Sequence, residues 1–213
     1  MENPLQVLTF ALPPLATNAF LVGDSERGEA VVIDAPLGVG DAIAPELASR
    51  GWRLTAILLT HGHFDHILGI PELASHGAPI YAHPDDAHLL ANPKAQLDLF
   101  QMPLTSAPVA VDDWLKPGVS AFLGRTVEVR HVPGHSPGSV LFYWPDLHAA
   151  FVGDTVFAGG VGRTDLPGGD TETLARAIRE EIYTLPEETR LHPGHGPATQ
   201  VAAERATNPF VRA

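Results

Sequence analysis

One short segment of the chain concentrates side chains that bind metal ions, and it reads Thr60-His61-Gly62-His63-Phe64-Asp65-His66. An apolar run at 56–59 precedes it and predicts a buried strand that leads directly into the segment. Residues two apart in an extended chain point to the same side, so we expect His61 and His63 to bind one ion together. Asp65 and His66 fall where the chain should turn into a helix, and we expect them to face a second ion.

Histidine and carboxylate ligands in this arrangement suit hydrolytic chemistry. Two ions with open coordination positions lower the pKa of a shared water to about 7 and so supply hydroxide at neutral pH. The chain has no cysteine, which excludes thiolate ligands, disulfides and a cysteine nucleophile. A histidine-rich surface loop without a ligand role is the alternative, but Gly62 and the apolar flanks indicate a folded, half-buried turn.

Further residues of ligand type follow apolar strands, on tight loops rich in Gly and Pro. They are His135 in the loop 133–138, Asp154 after the strand 149–152, and His195 in the loop 193–197. A rigid scaffold presents functional groups on such loops. Each residue alone would pass for an ordinary turn residue, but together with the first cluster they predict one shared metal site. We interpret Ser136 and Ser139 as turn residues and not as nucleophiles.

The composition predicts a single compact domain over residues 1–213. Hydrophobic residues make up 45% and charged residues 18%, so the chain can build a core. The net charge is −12 and no basic run is present, which argues against nucleic-acid binding. The apolar stretch 5–22 is broken by Pro13, Pro14 and Asn18, so neither a signal peptide nor a membrane span is predicted, and a cytoplasmic location is the default. No pattern specifies the oligomeric state.

Short apolar runs separated by turns predict the elements that must position these residues. We expect strands at 6–12, 19–22, 30–33, 56–59, 80–82, 127–132, 139–143 and 149–152. We expect helices at 41–50, at 71–76 and from Asp170 to Pro186. The stretch 92–117 has a weak pattern and is interpreted as a long loop or a loose helical insertion.

Strands and helices in both halves fit two sheets packed face to face and covered by helices. A doubly wound parallel sheet is the alternative. The turn Gly38-Val39-Gly40 partly matches a dinucleotide-binding fingerprint, but Ile43 stands where the third Gly should be. We therefore interpret it as a turn without a cofactor role.

The pattern His-x-His-x-Asp-His, followed in order by His135, Asp154 and His195, resembles the metallo-β-lactamase superfamily over nearly the whole chain. The stretches 153–157, 160–165 and 193–197 are similar to those of short type II hydroxyacylglutathione hydrolases, which are glyoxalase II-like proteins. The resemblance implies an α/β (α+β) fold, an αββα sandwich of two facing mixed sheets flanked by helices, with metals at one edge.

The resemblance also implies a site for two divalent metal ions, with zinc favoured over iron or manganese. It assigns the ligands residue by residue: His61, His63 and His135 to the first ion, Asp65, His66 and His195 to the second, and Asp154 as a bridge. Asp65 and Asp154 are the implied catalytic residues, since Asp65 can orient the attacking hydroxide and Asp154 contacts both ions.

Other polar residues have weaker expectations. Asp34 and Thr60 are expected to hydrogen-bond the ligands from behind, with a helix-entry cap as the alternative role for Asp34. Arg163 and Asp165 either meet a substrate carboxylate or lock their own loop, and the loop role is slightly favoured. The remaining histidines match no ligand position and are expected mostly at the surface: His76, His83, His88, His131, His148 and His192.

The implied activity is hydrolysis of a small thioester such as S-lactoylglutathione, whose thiolate leaves without a dedicated acid. The family's glutathione-specific members carry basic residues on a helical C-terminal extension, and here only Arg205 and Arg212 lie in the tail. Lactonase and β-lactamase activities are further hydrolytic options.

Two alternatives belong to other functional classes. A persulfide dioxygenase acting on glutathione persulfide would hold one iron with His61, His135 and Asp154, a triad suited to oxygen chemistry. A non-enzymatic metal-binding module would prefer closed coordination, whereas seven ligands shared by two ions imply open positions.

Overall fold

The computed structural model describes residues 3–212, and most of its strands form two six-stranded sheets. The first sheet contains, in spatial order, β1 (Leu5–Leu12), β2 (Thr17–Asp24), β3 (Glu29–Ile33), β4 (Arg53–Leu58), β5 (Ile80–Ala82) and β6 (Asp113–Trp114). Strands β1 to β3 pair antiparallel, and β3 to β6 pair parallel.

The second sheet contains, in spatial order, β14 (Thr199–Gln200), β13 (Arg190–Pro193), β10 (Ala149–Gly153), β9 (Val140–Trp144), β8 (Arg125–His131) and β7 (Gly118–Phe122). Strands β10 and β13 pair parallel and the other neighbours antiparallel. Strands β8, β10 and β13 therefore point the same way, and their carboxyl ends share one edge. Two short strands, β11 (Val156–Phe157) and β12 (Gly160–Val161), form a hairpin beyond β10.

The helices are α1 (Val39–Arg50), α2 (Ala87–Ala91), α3 (Pro93–Leu99), α4 (Thr171–Ala177) and α5 (Val201–Thr207). In α1, Val39, Ile43 and Leu47 recur every four residues and form the buried face. Gly51 ends α1 in the left-handed conformation, with φ of 66°. Asp170 begins α4 by accepting a hydrogen bond from the Thr173 amide at 2.7 Å. A π-helical turn over Ile178–Ile182 continues α4.

Three hydrophobic layers hold the sandwich together. Between the sheets, Phe20, Ile33 and Leu58 of the first sheet pack with Phe142 and Phe151 of the second. On the outer face of the first sheet, α1 packs over its strands. On the outer face of the second sheet, α4 and α5 do the same. The αββα prediction is confirmed, and the doubly wound alternative is wrong, because two separate sheets with many antiparallel pairs form.

Several predicted bounds were wrong. The strand expected at 19–22 is the longer β2, and the helix expected at 71–76 is a 3-10 helix over Ile70–His76. The stretch 92–117 was expected to be a long loop or a loose helical insertion, and it contains the short helix α3, a connecting loop and the strand β6, which was not expected. The next strand, β7, was missed because most of its residues are exposed, so the sequence shows no apolar alternation.

The six histidines outside the predicted site are not uniformly exposed. His83 and His192 are buried. His83 stacks on His131, with ring centroids 4.3 Å apart, and His192 stacks on Phe151 at 4.9 Å. No helix formed by the described residues is long and apolar enough to cross a membrane.

Candidate metal centre

The seven predicted ligands come together at one edge of the sandwich, where strands of both sheets end. The segment 61–66 follows β4 of the first sheet and forms a 3-10 turn over Phe64–His66. His135, Asp154 and His195 follow β8, β10 and β13 of the second sheet. Ligands of α/β proteins commonly bind at the carboxyl ends of strands, and here both sheets contribute.

His61, His63 and His135 form a first group, in which one possible ligand atom of each lies within 4.8 Å of the others. His63 Nδ1 lies 2.8 Å from His135 Nε2. All three side chains are buried, and His61 Nε2 has no hydrogen-bond partner. The three imidazoles therefore turn nitrogens toward one region.

Asp65, His66 and His195 form a second group within the same limit. Asp65 Oδ2 lies 3.2 Å from His195 Nε2 and 3.5 Å from His66 Nε2. Asp154 stands between the groups, because its Oδ1 lies 3.4 Å from His66 Nε2 and its Oδ2 lies 3.6 Å from His135 Nε2. The second oxygen also lies 3.4 Å from His195 Nε2.

These separations fit donors arranged around metal ions. Ligands about 2.1 Å from a tetrahedral ion lie about 3.4 Å from one another. Three buried atoms of the predicted ligands lack a hydrogen-bond partner among the described residues: His61 Nε2, His66 Nε2 and Asp154 Oδ1. A buried polar atom without a partner is costly, and metal coordination would remove that cost. The residues present therefore fit a divalent ion in each group.

Two histidines of the first group are held in their neutral, metal-binding form. Burial lowers the pKa of His61 well below its ordinary value, and the nearby His66 and His63 rings lower it further. Burial and the neighbouring His135 lower the pKa of His63 to about 3. Both rings are therefore neutral at physiological pH, and neutral imidazole is the form that binds a metal.

In the second group, carboxylates raise the pKa of the histidines, and the histidines lower the pKa of the carboxylates. Burial alone would lower the pKa of both histidines, but Asp65 and Asp34 raise that of His66, and hydrogen bonds with Asp154 and Asp65 raise that of His195 to about 10. Burial would raise the pKa of Asp65 and Asp154, but His66 and the hydrogen bond from His195 hold both below their ordinary values. The two protons must leave before these nitrogens can bind a metal ion.

Asp34 lies directly behind the candidate ligands and is fully buried. It accepts hydrogen bonds from His66 Nδ1 at 2.8 Å and from Thr60 Oγ1 at 2.8 Å. Thr60 Oγ1 lies 3.0 Å from His61 Nδ1, so it accepts from that ring. Such contacts set the orientation of ligand rings. The first amides of α1 bond to Glu72 instead, so Asp34 does not act as the helix cap.

The loop 160–165 contacts the site through both its backbone and its side chains. His135 Nδ1 donates to the Arg163 carbonyl at 2.8 Å, which leaves Nε2 for the site. The Arg163 guanidinium forms two hydrogen bonds with Asp165 at 2.7 and 2.8 Å and lies over the Phe100 ring at 5.8 Å. Arg163 is thus both a link between loops and a wall of the cavity over the site.

Thr17 and Asn18, at the start of β2, hydrogen-bond to residues of the second group and of its loop. The sequence interpretation did not assign a role to either residue. Thr17 Oγ1 donates to Asp65 Oδ2 at 2.8 Å. The Asn18 amide donates from the backbone to Gly194 O at 2.7 Å, and its side chain donates to two more carbonyls of the loop 193–196 at 2.9 Å. A side chain at Gly194 would collide with Asp154 and the ring of His66. The sequence signal was an Asn within an apolar strand.

Asp86 was also missed, although it joins the two loops that carry the first group. Its Oδ2 accepts from Gly62 N at 2.8 Å and from Ser136 Oγ at 2.7 Å, and its Oδ1 accepts from Gly138 N at 2.6 Å. Gln96 of α3 adds a hydrogen bond to Gly62 O at 3.0 Å. An aspartate in a short acidic turn has no sequence pattern that separates it from a surface residue.

A cavity of about 360 Å³ opens over both groups. Its floor contains possible ligands from each group. Its walls are mostly apolar: Leu15, Phe64, Phe100, Phe157, Val161 and Leu166, together with Arg163. The donor atoms therefore meet a space that a small molecule can enter.

Comparisons with known proteins agree on the family. Residues 12–195 match the model of the metallo-β-lactamase superfamily. Hydroxyacylglutathione hydrolase GloC of Haemophilus influenzae is 33% identical over 198 residues, which cover 91% of this chain and 92% of that protein. The crystal structure of BLEG-1 B3 metallo-β-lactamase superposes with a TM-score of 0.89 and 35% identity, covering 98% of this chain and 100% of that one.

A second solved structure bears on the metal. TTHA1623, in a di-iron-bound form, superposes with a TM-score of 0.86 and 38% identity, covering 96% of this chain and 100% of that one. The family model spans well over half of the chain, and the relatives cover nearly all of it. The chain therefore belongs to the metallo-β-lactamase superfamily of metal-dependent hydrolases.

Proposed function

We propose that this protein is a two-metal thioesterase that hydrolyses a small thioester such as S-lactoylglutathione. One observation carries the proposal: two groups of three converging donors share Asp154 between them. In this proposal His61, His63 and His135 hold one ion, and Asp65, His66 and His195 hold the other. Zinc is the ion to load first, and iron is the second choice because a similar structure contains two irons.

The residues of the chain have distinct tasks in this reaction. Divalent ions, when bound, acidify water and polarise a carbonyl oxygen. Thr17 donates a hydrogen bond to Asp65 Oδ2. This bond fixes the orientation of the carboxylate, which in turn orients the attacking water. Asp34 and Thr60 hold His66 and His61 in place from behind. The apolar walls keep bulk water away from the reacting carbonyl.

The thioester is supported over other acyl substrates by leaving-group chemistry and by similarity. A thiolate departs without a proton donor, and no side chain outside the two groups stands over the cavity floor as an obvious acid among the described residues. GloC, which matches nearly the whole chain, is named a hydroxyacylglutathione hydrolase. The similarity to a B3 metallo-β-lactamase makes β-lactam hydrolysis the activity to compare.

The complete second group favours hydrolysis over persulfide oxidation. A mononuclear triad needs only His61, His135 and Asp154, yet Asp65 and His195 also approach within 3.2 Å of each other beside it. A single-ion site would leave the buried Asp65 carboxylate and the half-buried His195 imidazole without a metal-binding role. A closed, non-enzymatic module is disfavoured by the cavity over the donors.

The test is turnover of S-lactoylglutathione by the purified, metal-loaded protein, followed as loss of the thioester. We expect rapid turnover that stops when a chelator removes the metal and returns when metal is added back. A penicillin and glutathione persulfide serve as comparison substrates. Turnover that persists after metal removal, or hydrolysis of the β-lactam alone, would contradict the proposal.

A further inference from the structure

A second cavity lies beside the metal centre and shares lining residues with the cavity over it. It has a volume of about 280 Å³ and lies against α2, α3 and the loop at Leu166. His63, Phe100 and Leu166 line both this cavity and the one over the metal centre. A molecule whose carbonyl sits at the metals can therefore extend past His63 into the second space. We call this space the side cavity.

Most of the side chains that line the side cavity are apolar. Leu89, Ala95, Leu99 and Pro167 complete its lining with the two shared apolar residues. Among residues 3–212, none of the side chains that line it belongs to Asp, Glu, Lys or Arg. The side cavity therefore offers no lysine or arginine to pair with a negatively charged group such as the carboxylates of glutathione.

Three polar side chains in the same walls hydrogen-bond to the protein backbone. Gln96 donates to Gly62 O at 3.0 Å and accepts from Phe64 N at 3.0 Å. Asn92 accepts from Ala95 N at 3.2 Å at the start of α3. His88 Nδ1 donates to Asp85 O at 3.1 Å. Because these hydrogen bonds go to the backbone, the surface that remains for a ligand is mostly apolar.

Large apolar side chains stand exposed beside the two cavities. Leu99, on the side cavity, is 59% exposed, and Leu15, over the metal centre, is 49% exposed. A guest that spans both cavities would cover parts of both residues.

We propose that the side cavity binds an apolar arm of the substrate while the scissile carbonyl lies at the metal centre. The inference rests on the proposed thioesterase function and adds to it a preference for thioesters that carry an alkyl or aryl arm. The arm can belong to the acyl group or to the thiol. Hydrolysis itself is unchanged: water adds to the carbonyl, the carbon–sulfur bond breaks, and the products are a carboxylate and a thiol.

Two series of thioesters test the inference. In one the acyl chain is lengthened by single methylenes, and in the other the thiol is lengthened while the acyl group stays acetyl. Burial of one methylene changes a binding equilibrium about fourfold. We expect kcat/KM to rise about fourfold per methylene in one series until the side cavity is full, and to stay flat in the other. The series that rises identifies the arm.

Ala95→Trp fills the side cavity and is expected to flatten that rise. Ala48→Trp, an exposed alanine-to-tryptophan change on α1, is the matched control and should keep it. If the wild-type protein turns over short thioesters but neither series depends on chain length, the side cavity inference is wrong while the thioesterase stands. The same holds if Ala95→Trp and Ala48→Trp behave alike.

If no thioester is turned over, the proposed function fails and the side cavity is tested by binding. Calorimetry with butyrate and octanoate, on metal-loaded wild type and Ala95→Trp, gives the dependence of Kd on chain length. Tighter binding of octanoate that Ala95→Trp removes supports an apolar subsite. Equal affinities for the two carboxylates overturn it.

Discussion

Asp34 connects the two groups of the metal centre through hydrogen bonds made by its own carboxylate and by Thr60. It holds His66 of the second group directly and His61 of the first through Thr60. The site therefore depends on a carboxylate that touches neither the cavity nor a substrate. The sequence placed Asp34 at a strand end, but two roles fitted that position equally, and only the three-dimensional contacts separate them.

Asp34→Asn should weaken metal binding and activity by about 10- to 100-fold, because an amide holds the His66 ring less firmly than a carboxylate. The measurement is metal affinity by competition with a coloured chelator, together with kcat. Asp41→Asn, an exposed aspartate on α1, is the matched control. Equal metal affinity in the two variants would show that Asp34 does not orient the ligands.

His192 should make folding stability depend on pH. Burial and the nearby Arg190 lower its pKa to about 4 from an ordinary value of 6.5. The unfolded chain therefore binds this proton at higher pH than the folded chain, so stability falls as pH drops from 6.5 toward 4. The full effect is at most about 3 kcal/mol.

His192→Leu removes this titration and keeps an apolar side chain against Phe151. Urea unfolding of the metal-free proteins across the same pH range gives the free energy of unfolding of each. We expect the wild type to lose more stability than the variant as the pH falls. Parallel curves would mean that His192 is not held neutral by the fold.

At the scale of elements, the turn Pro84–Asp86 together with α2 and α3 holds the ligand loop 61–66 in place, and we call these elements the brace. Asp86 bonds the loop of His61 and His63 on one side and the loop of His135 on the other. Gln96 adds its contact from α3. Only the part from residue 92 onward was interpreted from sequence, as a long loop or a loose helical insertion, because its apolar residues show no regular period.

Asp86→Asn replaces one acceptor oxygen with a donor and should loosen both loops. We expect a fall in metal affinity of roughly 10-fold, comparable to other outer contacts of ligands. The first group should lose metal before the second, which metal analysis of the partly stripped protein measures. Asp85→Asn changes the exposed neighbour and is the control. A loss of affinity equal in both variants would argue against the brace.

The elements themselves were predictable where one face is consistently buried. α1 has an apolar period, and the inner strands β3, β4, β9 and β10 are mostly continuous apolar runs because nearly all of their residues are buried. β7 and β14 are largely exposed or short, so they pair through backbone hydrogen bonds that no side-chain pattern reports. Sequence spacing likewise indicated the seven possible ligands, whereas Asn18 and Asp86 contribute through contacts between distant loops.

At the scale of the molecule, the candidate ligands come from both sheets. His61 and Asp65 belong to the first sheet's loop, and His135, Asp154 and His195 to loops of the second. Metal ions held by all of them would tie the two halves of the sandwich together. Without metal, the same edge keeps two carboxylates and several imidazoles close to one another.

Metal removal should therefore lower Tm. A metal present at 100 times its Kd stabilises the fold by about 2.7 kcal/mol, which corresponds to a Tm change of roughly 5 to 10 °C for a chain of this size. Scanning calorimetry with and without chelator measures the shift. Asp154→Ala should have a Tm that responds much less to metal. An identical Tm for the metal-loaded and stripped wild type would contradict metal binding across the sheets.

The most direct test of the two-metal account is thioesterase activity measured against equivalents of zinc or iron added to stripped protein. The account predicts that activity rises to its maximum at two metal ions per chain and that Asp154→Ala never reaches it. Full activity at one equivalent, or activity that does not depend on added metal, would contradict the assignment of two cooperating ions to these seven residues.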